Sequence, residues 1–233
     1  MKTVDYVMNL IFPRTCAVCG DAADARFSYA LCLGCGNEFE ILKSDICPSC
    51  SSPQMMCRCR PVYDGGKNVR YYHLIEYRND FSKKLIFALK RKNNAPLRRF
   101  LASELAALIK TRGEKSEITY TPRSASAVRK YGFDQSKELA RAVSKKTGAR
   151  LVTLFKHLRR GAEQKELGMT ARLDNAADSY FLRGGVLLRE EKLVIVDDVI
   201  TTGSTVRTLC ELASLAGAED ITVLTVAKTG RKY

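Results

Sequence analysis

The chain has no apolar run that approaches the roughly 20 residues needed to cross a bilayer. Residues 1–13 also lack a secretory signal, because their apolar stretch is short and is interrupted by Asp5 and Asn9. These absences exclude a membrane span and disfavour secreted disulfides, so we expect a reduced, cytoplasmic location. Only two histidines occur, His73 and His157. Neither has a partner evident in the sequence, and we expect both to be structural or exposed.

Cysteine is abundant but unevenly distributed, since eight of the nine lie in the first 59 residues. They form four close pairs whose spacing lets both thiolates of a pair reach one ion. The pairs are Cys16 and Cys19, Cys32 and Cys35, Cys47 and Cys50, and Cys57 and Cys59. We predict two structural zinc sites of four thiolates each, in a Cys-rich zinc-binding module over residues 1–62.

The spacing does not decide which cysteine pairs share an ion. Sequential pairing and cross-braced pairing both satisfy tetrahedral geometry. Glycines Gly20, Gly34 and Gly36 fit the tight turns of zinc knuckles. Cys210 stands alone in a later predicted helix, where we expect a packed small residue rather than a nucleophile.

The most informative stretch is 193–205, with the sequence LVIVDDVITTGST. Four apolar residues precede Asp197 and Asp198, which predicts a strand buried on both faces that ends in two carboxylates. Carboxylates accept hydrogen bonds, so they suit ribose hydroxyls or a magnesium ion with its waters. The alternative is an ordinary strand-turn-helix junction in which Asp198 only caps the helix and Gly203 only turns the chain.

The loop after this strand carries no bulky side chain. Its backbone N–H groups, four hydroxyls and a following helix N-terminus suit an anion such as phosphate. The candidate anion-binding residues are Thr201, Thr202, Gly203, Ser204 and Thr205.

Positive charge is concentrated outside the cysteine module. Residues 1–60 carry six basic and six acidic side chains, so the formal charge of +14 belongs to the rest of the chain. Segment 67–99 holds ten basic residues against two acidic ones, with Tyr71, Tyr72 and Tyr77 interleaved. This pattern favours a polyanion such as single-stranded DNA, bound through its phosphates. The alternatives are a solvated helix face and tyrosines that belong to the core of an alternating strand.

Residues 63–233 predict one α/β domain. We expect strands over 69–77, 118–121, 151–155, 180–182, 193–196 and 221–227, and helices over 81–91, 96–109, 135–147 and 205–216, with a basic loop over 122–133. Such repeats imply a parallel sheet with ligands at the carboxyl ends of its strands. Because its core residues lie elsewhere in the sequence, we expect this domain to stay folded without the cysteine module.

Further motifs resemble the ComF family of competence-associated, phosphoribosyltransferase-like proteins. They are Thr121-Pro122-Arg123, the run RKYGFDQ over 129–135, and the spaced set Gln164, Leu167, Arg172, Asn175 and Phe181. The cysteine pairs resemble the family's zinc module, and the acidic pair with its loop resembles the phosphoribosyl pyrophosphate (PRPP) signature of type I phosphoribosyltransferases. The chain departs from the family at Tyr131 and Asp134, which stand for Arg and Asn, and at Tyr120, which replaces a proline.

The resemblance implies a type I phosphoribosyltransferase core, a five-stranded, mostly parallel sheet with helices on both faces. It implies that Asp197 and Asp198 take the ribose hydroxyls of PRPP while the 201–205 loop takes its 5-phosphate.

The resemblance also assigns residues outside this loop. Pro122 and Arg123 map to the pyrophosphate side. Arg172, with Arg160 and Gln164, falls where such enzymes carry a flexible loop over the reacting ribose, which makes Arg172 a candidate catalytic residue beside the acidic pair.

The implied function is a competence protein that handles single-stranded DNA during natural transformation and binds PRPP or ribose 5-phosphate. Competence-machinery proteins are then expected partners. The alternatives are an active phosphoribosyltransferase that uses PRPP and magnesium with an unknown acceptor, and a PRPP-sensing regulator.

Overall fold

The computed structural model of the protein describes residues 14–43, 68–91, 93–110, 115–157 and 179–229. Its main sheet has five strands in the order β1, β7, β6, β2, β3, and every neighbouring pair is parallel. These strands are β1 (Asn68–Glu76), β2 (Glu117–Tyr120), β3 (Arg150–Leu151), β6 (Lys192–Ile200) and β7 (Asp220–Lys228). The predicted five-stranded, mostly parallel sheet is confirmed.

Helices cover both faces of this sheet, as the resemblance implies. They are α1 (Leu33–Leu42), α2 (Asp80–Arg91), α3 (Ala95–Lys110), α4 (Ala125–Tyr131), α5 (Gln135–Thr147) and α6 (Ser204–Leu215). Leu85, Leu101 and Leu139 bring α2, α3 and α5 into one buried cluster. Leu209 and Ala213 of α6 belong to a second cluster on the opposite face. The apolar runs of β6 and β7 are therefore buried from both sides.

Helix α4 lies in the segment expected to be a basic loop, so that prediction is wrong there. Its seven residues bury no side chain, which leaves no apolar periodicity to detect. Capping defines it instead. Ser124 Oγ accepts a hydrogen bond from Ala127 N at 3.2 Å, and Gly132 ends the helix with a φ of 78°.

The expected strand over 151–155 is divided in two. After β3 the chain leaves the main sheet, and β4 (Phe155–His157) pairs antiparallel with β5 (Tyr180–Leu182). Phe155 is buried in the same cluster as helix α6, so the two-stranded sheet packs on the α6 face. The predicted short strand over 180–182 is observed with those bounds.

The described part of the cysteine module shares its core with the α/β domain. Phe27 and Phe39 pack edge-on against Phe100 of α3, with ring centroids 6.2 and 5.1 Å apart. All three lie in the same buried cluster as the sheet residue Leu74. The expectation that the α/β domain has a separate core is therefore wrong.

Polar contacts reinforce this packing. Lys43 Nζ lies 2.8 Å from Glu104 Oε2 on α3. Asn79 Nδ2 donates to Glu38 Oε1 at 2.7 Å, and Lys43 forms an antiparallel bridge with Ile75 of β1. The module is thus attached at the outer edge of the sheet.

Two of the module's glycines have distinct roles. Gly20 has a φ of 90°, as expected of a knuckle turn. Gly36 lies inside α1, and a Cβ atom there would lie 2.0 Å from the Phe27 ring. Gly36 is therefore required by close packing rather than by a turn.

Within the described ranges, no helix combines the length and the apolar character needed to span a bilayer.

Candidate functional site

The acidic pair lies inside β6, which extends to Ile200 rather than ending at the acids. Strand β2 is shorter, and Tyr120 opposite Val196 is its last paired residue. Beyond that point Asp197 and Asp198 keep β7 on one side but have no β2 neighbour on the other. Both are buried, with exposed fractions of 8% and 5%. The candidate site lies here beside β6, beyond the end of β2, and we refer to it as the pocket.

The N-terminus of α5 lies beside the two acids and bonds both of them. Gln135 Nε2 donates to Asp198 Oδ2 at 2.6 Å, and Ser136 Oγ donates to Asp197 Oδ1 at 3.1 Å. The Asp198 backbone N–H also donates to Asp197 Oδ1 at 2.8 Å. Lys90, near the end of α2, places Nζ 3.5 Å from Asp198 Oδ2. Sequence reasoning did not assign Gln135, Ser136 or Lys90 to the site.

Burial and mutual repulsion act on the acidic pair. Burial, followed by the negative charge of Asp198, raises the pKa of Asp197, although hydrogen bonding from Asp198 N, Thr121 and Ser136 opposes the shift. Burial and the neighbouring carboxylate therefore oppose the ionised form of Asp197. A ligand that donates hydroxyl hydrogens, or a cation, would favour the ionised pair.

The loop after β6 presents the start of α6. Gly203 occupies the N-cap position with a φ of 80°, and no side chain caps the helix. Thr202 Oγ1 and Ser204 Oγ lie 3.1 Å apart, while Thr201 and Thr202 are exposed. The Ser204 N–H donates to Thr202 Oγ1 at 3.4 Å, and Gly203 has no side chain with which to cap the helix, so this N-terminus suits an anion.

Tyr180 of β5 also belongs to this region. Burial, followed by the charge of Asp197, raises the pKa of its hydroxyl to about 12, while a hydrogen bond with Thr205 opposes the shift. Tyr180 therefore links the two-stranded sheet to the 201–205 loop. The sequence placed this residue on a short strand, but no pattern linked it to the site.

The loop after β2 is held against helix α2. Pro122 is buried, and Arg123 N donates to Asp134 Oδ2 at 2.9 Å. Arg123 Nη1 donates to the Lys90 carbonyl at 3.4 Å, and its guanidinium lies 4.8 Å from the centre of the Tyr131 ring. The pyrophosphate role of Pro122 and Arg123 remains a prediction.

Several predicted residues fall outside the described residues. They are Arg160, Gln164, Arg172, Cys47, Cys50, Cys57 and Cys59.

The basic segment 67–99 does not form one surface. Arg70 lies near the start of β1 and pairs with Asp220, at the opposite end of the sheet from Lys90. Tyr72 is a core residue, while Tyr71 and Tyr77 are partly buried and pack against the two clusters. Tyr72 therefore belongs to the core, and Tyr71 and Tyr77 pack at its margins, which favours the core alternative for these tyrosines.

The basic side chains instead lie over two other aromatic rings, those of Phe87 and Tyr131. Arg91 lies 4.5 Å from the centre of the Phe87 ring, and Phe87 is 52% exposed. Tyr131 is approached by Arg123 at 4.8 Å, Lys130 at 5.5 Å and Arg91 at 6.0 Å. We refer to Phe87, Arg91, Arg123, Lys130 and Tyr131 as the cation-aromatic surface. It adjoins the pocket through Lys90, whose carbonyl bonds Arg123.

Four cysteines form a compact cluster in the module. The Sγ atoms of Cys16, Cys19, Cys32 and Cys35 all lie within 4.8 Å of one another, and those of Cys19 and Cys32 are 3.5 Å apart. Four thiolates around one zinc at roughly 2.3 Å would lie roughly 3.8 Å apart, so this set fits the ion. Sequential pairing is therefore the arrangement of these four residues.

Backbone donors support the cluster as they do in zinc knuckles. Val18 N donates to Cys16 Sγ and Cys35 N donates to Cys32 Sγ, both at 3.4 Å. Burial raises the pKa of Cys16, but bonds from backbone N–H groups outweigh it, and the pKa is lowered to about 7. Burial raises the pKa of Cys19 to about 11 and also raises the pKa of Cys35, so the four thiols need a cation among them to be thiolates together. The four-thiol geometry indicates a structural zinc.

A cavity of about 550 Å³ opens at the amino ends of β2 and β3, the opposite edge of the sheet from the acids. It is lined by Glu117, whose carboxylate is bonded by Arg150 and by Arg189 N at 2.7 Å. Both carboxylate oxygens of Glu117 thus have partners, and the cavity is not the candidate site.

Comparison with known proteins gives two kinds of match. The family described as "Double zinc ribbon domain" matches residues 7–63. The whole chain is 25% identical over 231 residues to "Competence protein ComFC" of Streptococcus pneumoniae (strain ATCC BAA-255 / R6), covering 98% of this chain and 96% of that protein.

Solved structures give weaker matches. The allosteric regulatory enzyme of purine biosynthesis is 21% identical with a TM-score of 0.38, covering 55% of this chain and 25% of that enzyme. A purine phosphoribosyltransferase from Pyrococcus horikoshii Ot3 is 17% identical with a TM-score of 0.34, covering 56% of this chain and 81% of that enzyme. The match thus spans a quarter of the first enzyme's length. The fold described above stands on its sheet order and helix placement rather than on these alignments.

Proposed function

The chain is a homologue of competence protein ComFC with an N-terminal zinc ribbon region, and on that premise we propose that its pocket binds the ribose 5-phosphate group of PRPP. The observation that carries this proposal is the pair of buried carboxylates on β6, Asp197 and Asp198, followed in the chain by a helix whose N-cap, Gly203, has no side chain. We place this activity in the cytoplasm, within the handling of single-stranded DNA during transformation.

The two ends of the pocket suit the two ends of the ligand. Buried carboxylates accept hydrogen bonds from ribose hydroxyls, and this contact compensates the charge that burial penalises at Asp197. The 201–205 loop offers hydroxyls and the first amides of α6 to the 5-phosphate. A magnesium ion bound with PRPP would supply charge neutralisation for the pyrophosphate. Arg123 and Lys90 lie on the side proposed for that group.

The test is calorimetric titration of the purified protein with PRPP and magnesium. The double variant Asp197→Asn with Asp198→Asn should lose binding at least tenfold, because amides replace the acceptors of the ribose hydroxyls. Asp80→Asn is the matched control, since Asp80 is an exposed acid that pairs with Lys83. Unchanged affinity in the double variant would contradict the site.

An assay of pyrophosphate release against bases and nucleotides, run after the titration, separates binding from catalysis. As a phosphoribosyltransferase the protein would leave C1 of the ribose open to a nucleophile while pyrophosphate departs. Pyrophosphate release with any base or nucleotide would establish turnover. Binding without release supports the binding protein or the PRPP-sensing regulator.

The cation-aromatic surface supports a second activity, which is binding of single-stranded DNA. Arginine stacked on an exposed ring offers both a phosphate contact and a surface for a base, and no residue there is arranged to read sequence. Log affinity should fall linearly with log salt, by about 0.7 per phosphate contacted.

Charge reversal tests this surface directly. Arg91→Glu with Lys130→Glu should flatten the salt slope and weaken binding to all sequences alike. Lys145→Glu with Lys146→Glu is the matched control, since these exposed lysines lie in the last turn of α5. Equal effects of the two pairs of substitutions would show that the overall positive charge, rather than this surface, accounts for DNA binding.

A further inference from the structure

One oxygen of Asp198 is occupied by the protein and the other is not. Oδ2 accepts from Gln135 Nε2 at 2.6 Å and lies 3.5 Å from Lys90 Nζ. Among the described residues, no donor bonds Oδ1 of the same carboxylate. A carboxylate whose hydrogen bond and ion pair both fall on one oxygen has its plane fixed and keeps the second oxygen as an acceptor.

Asp197 is held in the same way. Its Oδ1 accepts from Ser136 Oγ at 3.1 Å and from Asp198 N at 2.8 Å. Gln135 and Ser136 are 6% and 1% exposed, so neither donor has ready access to water as an alternative partner. Their bonds to the acids are therefore retained rather than exchanged with solvent.

The donors stand on a rigid support. They are the first two residues of α5, a 13-residue helix whose N-cap is Asp134. Asp134 Oδ1 accepts from Lys137 N at 3.2 Å, while its Oδ2 accepts from Arg123 N at 2.9 Å. Helix α5, the loop after β2 and the end of α2 thus form one connected frame around the acidic pair.

We propose that Gln135, Ser136 and Lys90 are positioning residues that make the acidic pair select ribose 5-phosphate over 2-deoxyribose 5-phosphate. The proposal rests on the proposed function of the pocket. A fixed, buried carboxylate oxygen gains a hydrogen bond from the ribose 2-hydroxyl, whereas a deoxyribose leaves that acceptor unpaired. A carboxylate free to turn could instead recover a bond from the remaining hydroxyl or from water, and the preference would fall.

The experiment is parallel titration of the full-length protein with ribose 5-phosphate and 2-deoxyribose 5-phosphate. The measured quantity is the ratio of the two dissociation constants. Wild-type protein should prefer the ribose form by about tenfold or more, the value of one hydrogen bond to a charged group. Both Gln135→Met and Lys90→Met should bring the ratio close to one while 2-deoxyribose 5-phosphate affinity changes little.

Matched controls separate positioning from general effects. Lys137→Met alters the same turn of α5 as Gln135, and Lys83→Met removes a surface ion pair with Asp80 from the same helix as Lys90. Neither residue touches the acids, so both controls should keep the wild-type ratio. For Ser136→Ala the control is Ser144→Ala, because the Ser144 hydroxyl bonds the Ala149 carbonyl at the other end of α5.

The outcomes are distinct. Wild-type protein that binds neither sugar phosphate would overturn the proposed function itself. Binding of both with equal affinity would overturn only the selection, since the phosphate loop would still work. Variants that lose affinity for both sugars equally would show a merely structural role and overturn the proposal. If Gln135→Met does not fold, Lys90→Met still tests the proposal. The Lys90 side chain is 39% exposed, so its replacement should disturb folding less.

Discussion

At the scale of single residues, His73 is a buried titratable group that has no role in the proposed chemistry. It lies on β1 with an exposed fraction of 9%, and its Nε2 has no hydrogen-bond partner among the described residues. Burial, followed by the positive charge of Lys228, lowers the pKa of His73 to about 4. The imidazole is therefore neutral in the folded protein at neutral pH.

His73 makes the stability of the fold sensitive to acid. The unfolded chain takes up a proton at this residue below about pH 6.5, while the folded protein does so only near pH 4. Stability should therefore fall as the pH drops through this window, by on the order of 3 kcal/mol from this group. His73→Gln should reduce that loss, measured by urea unfolding between pH 7 and pH 4.

His157→Gln is the control for this measurement, since His157 is only half-buried. An acid slope that is the same in His73→Gln and in wild-type protein would contradict the assignment.

At the scale of elements, the sequence predicted those whose burial leaves a periodic pattern. Strands β6 and β7 and helices α2, α3, α5 and α6 all lie within a few residues of their predicted bounds. The division of β3 from β4 was not predictable, because β4 pairs with a strand more than 20 residues away in the sequence.

The candidate site followed the same rule. The carboxylates and the small-residue loop are one local run, so the sequence identified them. Gln135, Ser136, Lys90 and Tyr180 come from three other elements, and only the packing of those elements on β6 brings them together. A motif search reads local spacing and cannot report such contacts.

Gly203 permits a prediction about the phosphate loop as an element. Its φ of 80° is a conformation that side-chain-bearing residues adopt only with strain, so Gly203→Val should distort the start of α6. We expect PRPP affinity to fall at least tenfold and stability to fall by about 1–3 kcal/mol, measured by calorimetry and by denaturant unfolding.

Gly217 provides a matched control at the other end of the same helix. Its φ of 97° makes Gly217→Val similarly strained, but it lies far along α6 from the loop. That variant should lose stability and keep its affinity for PRPP. Equal losses of affinity would mean that strain in α6 as a whole, rather than the loop, controls binding.

At the scale of the whole molecule, the described part of the zinc module and the sheet domain share one buried core. Phe27 and Phe39 of the module bury Phe100 of α3, so the apolar contacts of the module are also those of the domain. We therefore expect metal binding to the module to contribute to the stability of the entire core.

Metal analysis and hydrogen exchange test this coupling. We expect about two zinc ions per chain, one of them at Cys16, Cys19, Cys32 and Cys35. Cys16→Ser should remove that ion and lower the protection of α3 amides near Phe100, because the ring loses its packing partners. Cys210→Ser, outside the module, should retain the full zinc content. Unchanged protection of α3 in Cys16→Ser would show that the domain folds independently.

The bridge between Lys43 and Ile75 has a consequence for self-association. Strand β1 is nine residues long and forms one edge of the main sheet. Such an edge offers unpaired backbone donors and acceptors to any other strand, including β1 of a second molecule. The chain leaving α1 covers part of this edge through that bridge. The module thus covers part of this edge, and we expect removal of zinc to yield strand-paired aggregates rather than a dispersed unfolded chain.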